Sequence, residues 1–291
     1  MAVHKFTDIY KQIAGCSIQA DIYQNEKKGM PVIVLIHGGA LIWGSRADFN
    51  QSQIVRYLEA GFSVVSIDYR LAPETKIVSI VKDIDDALIW IGTDGAEKYG
   101  YDGNKLAVVG CSAGGYLSLM SGTSSRKAKA IVSFYGYGDL LGDWHCKPSP
   151  HYCRQPLVSR EEAYRYVGDT ILSEGPGDRY KFYLYCRQQG IWTSEVSGYD
   201  IYAERNQVIQ YCPAYCAGVD YPPTLLLHGD LDTDVPYQQS VIMAEKLTQV
   251  GVVHRLITLV GKGHGFDYEI ESPDVQHAFT DVIQFLGKYL A

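Results

Sequence analysis

Six short runs of apolar residues recur along the chain, at 32–36, 62–67, 106–109, 130–134, 224–227 and 256–259. Runs of this length without polar alternation suit strands covered on both faces, as in a parallel sheet. Between them, 52–60, 80–91, 115–123, 238–250 and 274–289 place apolar residues at helical spacing. Strand alternating with helix predicts an α/β domain built on a parallel sheet. Ahead of it, 5–25 alternates apolar and polar positions on either side of Gly15, the pattern of an antiparallel hairpin.

The rhythm breaks once. Across 140–220 no strand pattern is visible, and Gly175-Pro176-Gly177 and Ser197-Gly198 punctuate the stretch. That is too long for a plain connection between neighbouring strands. The expected organisation is one core formed by 1–139 and 221–291, with 140–220 inserted after the sixth strand as a helical cap or lid. The insertion holds ten Tyr, two Trp and one Phe. Such rings suit a wall for an amphipathic group or a small core of the insertion itself, and both readings stay open.

Composition narrows the class without naming it. A chain of 291 residues, 46% hydrophobic and 20% charged, is long enough for a substantial core in one large domain or two small ones. The values exclude a disordered, collagen-like or coiled-coil chain. The net charge of −7 offers no basic face, so a nucleic-acid partner is not expected. No apolar stretch approaches the ~20 residues that span a bilayer. Met1 to Tyr10 lacks the charged start and apolar run of a secretory leader, and seven cysteines is an odd count. Reduced thiols and a cytoplasmic location are therefore expected. Cys146, Cys153, Cys212 and Cys216, with His145 and His151, are too loosely spaced for a zinc set, so no metal is expected.

Chemistry enters at Gly110-Cys111-Ser112-Ala113-Gly114-Gly115, directly after one strand pattern and directly before a helix pattern. Gly-x-Ser-x-Gly in that setting forces a sharp turn that presents the central hydroxyl at the sheet edge. A phosphate loop would need Gly-x-x-x-x-Gly-Lys-Ser/Thr or Gly-x-Gly-x-x-Gly, and neither is present here. Ser112 is thus the candidate nucleophile, with Cys111 as its neighbour. A serine needs a base held by an acid. His264, in the loop Gly261-Lys262-Gly263-His264-Gly265-Phe266 after a strand pattern, is the candidate base. His37 and His228 lie at strand ends and suit structural hydrogen bonding. For the acid, Asp230, Asp232 and Asp234 all follow the penultimate strand, and the residues alone leave the three open. Arg70 and Glu74 read as structural groups of a loop, and Asp83, Asp85 and Asp86 as a solvated helix start.

These motifs together resemble the α/β-hydrolases, and among them the hormone-sensitive-lipase-type (α/β-hydrolase fold-3) esterases. His37-Gly38-Gly39-Ala40 is similar to their His-Gly-Gly-Gly oxyanion loop, with Ala40 in place of the third glycine. Asp68-Tyr69-Arg70-Leu71-Ala72-Pro73-Glu74 is similar to the segment after their fourth strand. The family pattern His-Gly-x-x-Asp-x-x-Val-Pro fits His228 to Pro236 and selects Asp232. That family's N-terminal helical cap has no counterpart before the first strand pattern, which leaves 140–220 as the cap.

The resemblance implies a serine esterase that cleaves a small or medium carboxylic ester through an acyl-enzyme, without metal or organic cofactor. Ser112, His264 and Asp232 would form the triad, and backbone N–H groups of Gly38, Gly39, Ala40 and Ala113 the oxyanion hole. Trp43, Cys111, Tyr183 and Trp192 are candidates for the substrate wall. The expected partners are a small-molecule ester and at most a second copy of the chain in a homodimer. A serine peptidase or amidase of related fold is the alternative, and a non-catalytic small-molecule receptor the third reading.

Overall fold

The computed structural model describes residues 4–13 and 15–291. Met1 to Val3, the start of the segment that lacks a leader pattern, and Ala14 lie outside them. Among the described residues eight strands form one sheet: β1 (His4–Ile13), β2 (Cys16–Gln24), β3 (Pro31–Ile36), β4 (Ser63–Ile67), β5 (Asp102–Cys111), β6 (Ala130–Phe134), β7 (Thr224–Gly229) and β8 (His254–Leu259). Their spatial order is β1-β2-β4-β3-β5-β6-β7-β8. β1 and β2 pair antiparallel, as does β2 with β4; every later pair is parallel. The expected hairpin and all six apolar runs are therefore strands.

The helices follow the same logic. They are α1 (Gln51–Glu59), α2 (Ile77–Gly92), α3 (Asp94–Tyr99), α4 (Ala113–Ser121), α5 (Asp143–Cys146), α6 (Arg160–Ala163), α7 (Tyr180–Gln189), α8 (Trp192–Ser197), α9 (Arg205–Ile209), α10 (Pro213–Cys216), α11 (Gln238–Gln249) and α12 (Pro273–Leu290). Among the described residues no helix is long and apolar enough to cross a membrane. In β3, Val32, Val34 and Ile36 face one layer while Ile33 and Leu35 face the other, and all five are fully buried. This two-sided burial is why the strand reads as a continuous apolar run. The second layer closes over α1 and α12, with Ile54, Tyr57, Phe279 and Val282 in its core.

The chain steps from β3 to β4 on one side and then returns to β5 on the other. The crevice outside the carboxyl ends of β3 and β5 is the topological switch point, where ligands bind in open α/β sheets.

Between β6 and β7 the chain forms α5 to α10 and short 3-10 turns. Its apolar side chains do not make a core of their own. Phe182, Trp192, Val208 and Cys212 join the cluster that contains Val32, Val34 and Ile36 of the sheet. Polar contacts add to this. Arg179 donates to both carboxylate oxygens of Glu74, at 2.9 and 2.6 Å, and to the carbonyls of Ile42 and Ala72 at 2.6 and 2.7 Å. Gly44 and Gly175 exchange backbone hydrogen bonds at 3.0 and 3.1 Å.

One expectation needs correction. Asp83 is not part of a solvated helix start: its side chain is fully buried, within α2, in a two-pronged pair with Arg70 at 2.7 and 2.8 Å, with Lys11 at 2.5 Å. Three aspartates within four residues look the same in sequence whether or not a guanidinium from the preceding loop folds over one of them.

The Glu74–Arg179 pair is almost wholly enclosed, with side chains 1% and 5% exposed. Removing one partner of such a pair strands the other charge. Arg179→Met should lower the unfolding free energy by about 3–5 kcal/mol, read from urea denaturation followed by circular dichroism. A loss below about 1 kcal/mol, the range of exposed pairs, would mean the contact carries little.

Candidate active site

The site is assembled at the carboxyl ends of β3, β5, β6, β7 and β8. Ser112 follows β5 and precedes α4 with φ 55° and ψ −120°, a backbone that a β-carbon disfavours. It is held there because its N–H donates to the Phe134 carbonyl at 2.9 Å while its own carbonyl accepts from Tyr116 at 2.9 Å. α4 can begin so close to β3 because residue 114 is glycine: a Cβ there would lie 1.9 Å from the Ile36 carbonyl oxygen.

Ser112 Oγ lies 3.0 Å from His264 Nε2, and His264 Nδ1 lies 2.7 Å from Asp232 Oδ2. Asp232 is anchored on its other oxygen, where Oδ1 accepts the N–H groups of Asp234 and Val235 at 2.8 and 2.9 Å. His228, buried beside it, comes within 3.3 Å of Oδ2 and bonds to Ser240 Oγ and the Val235 carbonyl. Burial resists the Asp232 charge, but hydrogen bonds and charges from His228 and His264 outweigh it and hold the carboxyl well below its ordinary range. Burial likewise opposes protonation of His264. The Asp232 hydrogen bond, with the fields of Asp234, Asp232 and Asp267, wins and raises that imidazole above its ordinary value. Asp230 is elsewhere, accepting the Gly261 N–H at 2.6 Å.

The loop after β3 runs alongside. Gly39 has φ +94° and its Cβ would strike the Trp43 carbonyl at 2.0 Å, so glycine is required there. Ala40 and Leu41 follow with φ 53° and 64°. Ala40 thus takes the left-handed turn despite its Cβ. The carbonyls of this loop are all engaged, that of Gly39 by the N–H groups of Ile42 and Trp43 at 2.8 and 3.0 Å and the others by side chains. Tyr69 hydroxyl donates to His37 and Gly38 carbonyls at 3.0 and 3.1 Å, His37 Nδ1 to the Gly38 carbonyl at 2.8 Å, and Trp192 Nε1 to the Ala40 carbonyl at 3.2 Å. With the carbonyls held, the N–H directions are set. Among the described residues, the N–H groups of Gly39, Ala40 and Ala113 have no backbone acceptor. Burial pushes His37 down to about 4, so it serves as a neutral brace.

A cavity of about 190 Å³ opens over Ser112, with Gly38, Ala40, Trp43, Cys111, Tyr135 and His264 in its wall. It shares Trp43 and Asp48 with a neighbouring cavity of about 710 Å³. Cys111 lines the site, but burial, with Asp267 nearby, pushes its thiol well up, so it is a protonated neighbour. Two expected wall residues are not in the wall. Trp192 is fully buried, stacked on His145, and braces the loop through Ala40. Tyr183 is buried too; it packs edge-on against Trp43 and donates to Asp234. Tyr135, which no motif in the sequence singles out, places its ring 4.5 Å from that of His264, and its hydroxyl bonds Asp267. Its position directly after β6 was the available signal. Asp48 and Tyr268 also line the cavity. The loop cysteines and histidines form no group able to hold a metal among the described residues.

Comparison with known proteins places this geometry in context. The BD-FAE family profile matches residues 20–155, and the Prolyl oligopeptidase family profile residues 177–291. The chain is 28% identical to the non-reducing polyketide synthase ausA of Emericella nidulans, over 99% of this chain and 14% of that protein. It is 27% identical to Esterase LipC of Mycobacterium tuberculosis, over 82% of this chain and 54% of that protein. It therefore spans a small part of the first relative and about half of the second. A Staphylococcus aureus protein of unknown function superposes with a TM-score of 0.78 at 21% identity, covering 100% of both chains. The Pyrobaculum calidifontis esterase superposes at 0.71 and 24% identity, covering 100% of this chain and 86% of that one.

The approach of α4 to β3 can be tested directly. Gly114→Ala must push the helix start away from the Ile36 carbonyl, at a cost of about 1–3 kcal/mol or more, seen as a lower thermal midpoint. An unchanged midpoint would contradict the close approach.

Proposed function

We propose that this chain, which has the α/β-hydrolase fold, is a serine hydrolase that cleaves a small or medium carboxylic ester. The observation that carries the reading is the continuous hydrogen-bonded chain from Ser112 Oγ through His264 to Asp232, at 3.0 and 2.7 Å. Ser112 attacks the acyl carbonyl while His264 Nε2 takes its proton, and Asp232 stabilises the imidazolium. The oxyanion is received by the N–H groups of Gly39, Ala40 and Ala113, at the positive end of α4, with Gly38 shaping the loop. His264 then returns the proton to the leaving alcohol, and water hydrolyses the acyl-enzyme. Tyr69 and Trp192 act as positioning residues for the oxyanion loop. Residues 140–220 act as a fixed cap rather than a mobile flap, a reading supported by their shared core with the sheet and by Arg179.

The Prolyl oligopeptidase family match over 177–291 favours a second reading, amide cleavage by the same triad. A panel of p-nitrophenyl esters against aminoacyl anilides separates the two: the ester reading predicts turnover confined to, or far faster on, the esters.

Ser112→Ala and Asp232→Asn should each lower kcat on p-nitrophenyl acetate by roughly 10⁴, with circular dichroism unchanged. Retained activity in the serine variant would overturn the assignment. Because Asp232, Asp234 and Asp267 raise the His264 value from its ordinary 6.5 despite burial, the imidazole stays protonated to higher pH than an ordinary histidine. The acid limb of the kcat/KM profile should therefore have its midpoint above 6.5, and activity should fall as pH drops through it. A midpoint below that value would show that desolvation, not the carboxylates, governs His264.

A further inference from the structure

Asp234 stands outside the Ser112–His264–Asp232 chain, yet its Oδ2 lies 3.5 Å from His264 Nε2, the nitrogen that faces Ser112. Its other oxygen is occupied. Oδ1 accepts from Arg187 Nη1 at 2.9 Å and from the Tyr183 hydroxyl. Arg187 also donates from Nη2 to the Asp234 carbonyl at 3.2 Å, is 2% exposed, and sits among the rings of Trp144, Tyr152 and Tyr183. The Asp234 backbone is fixed as well, its N–H bonded to Asp232 Oδ1 at 2.8 Å. A carboxylate clamped on one oxygen keeps the other directed at the space beside Ser112.

Nε2 is the nitrogen that hands its proton to the leaving oxygen, so Asp234 borders the alcohol side of the scissile bond. The charge of that space is one-sided. Asp48 and Asp234 line the cavity over Ser112, and Glu174, paired with Arg46 at 3.1 Å, the adjoining one, while among the described residues neither wall contains Lys or Arg. Arg187 lies behind Oδ1 and is not part of the Ser112 cavity wall. Trp43 and Tyr268 add aromatic surface, which attracts a cation as carboxylates do.

We propose that Asp234 is a specificity-determining residue that selects esters whose alcohol part carries an ammonium group, received by its free oxygen beside the scissile bond. The inference rests on the reading of Ser112 as the nucleophile and adds the chemical class of the leaving group.

The matched probes are 3-(dimethylamino)propyl acetate, cationic at neutral pH, and 4-methylpentyl acetate, its neutral isostere. The wild-type protein should favour the cation by about tenfold in kcat/KM, the order expected of a partly solvated charge pair, and the ratio should shrink as salt is raised. Asp234→Asn should bring the ratio close to one, and Asp234→Glu should restore part of it. A wild-type ratio near one, or a ratio unchanged in the asparagine variant, overturns the proposal. If that variant does not fold, inhibition of wild-type p-nitrophenyl acetate hydrolysis by 3-(dimethylamino)propan-1-ol against 4-methylpentan-1-ol decides the matter. Stronger inhibition by the amine supports the proposal and equal or weaker inhibition overturns it. Failure of the wild type to turn over p-nitrophenyl acetate strikes the Ser112 reading instead, and ligand-observed NMR binding of the same two alcohols then decides the charge preference.

Discussion

The start of α4 rests against the carbonyl of Ile36 with room for a hydrogen and no carbon, and the rest of the site depends on that contact. It lets the turn after β5 lie beside the loop after β3. Ser112 is held there in its positive-φ backbone, and Gly38 of that loop lies so close that a Cβ on it would meet the Cys111 carbonyl at 3.2 Å. The sheet topology supplies the crevice, since the chain order reverses between β3 and β5. The glycine makes the crevice narrow enough for two backbones to share one small volume.

Around this contact the protein spends buried polar groups on fixing directions. Tyr69 and Trp192 hold carbonyls of the loop after β3, Asp232 is pinned by two backbone N–H groups, and Tyr135 backs the His264 ring. The segment over the site is tied down by the same means. Arg179 makes its bonds to Glu74 and the loop carbonyls, while Arg187 holds Asp234. Because most of its aromatic residues belong to or pack against the cluster that covers the sheet, the segment is an extension of the core. Preorganised donors of this kind need no rearrangement as charge develops, which is where they contribute most to catalysis.

How far the sequence could be read follows from the range of the forces involved. Strands buried on both faces leave continuous apolar runs, so every parallel strand was legible. Ser112 and His264 were legible because their turns are built from adjacent residues. Asp232 was one of three until a family pattern chose it, since only the fold decides which carboxylate meets the imidazole. Aromatic residues gave the poorest guidance. Trp192 and Tyr183 were expected in the substrate wall and are buried braces, because ring type reports apolar area and not the side from which it is covered. Tyr135 and the buried Asp83–Arg70 pair escaped for a related reason: each depends on a partner brought in by tertiary approach.

Ser112, at the strained turn, is the proposed activated nucleophile of the molecule. A fluorophosphonate probe followed by peptide mass spectrometry tests it most directly. One adduct per chain is expected, on Ser112, formed rapidly in the folded protein and lost when His264 is replaced. No adduct on the folded protein, or an adduct on another residue with Ser112 untouched, would contradict it.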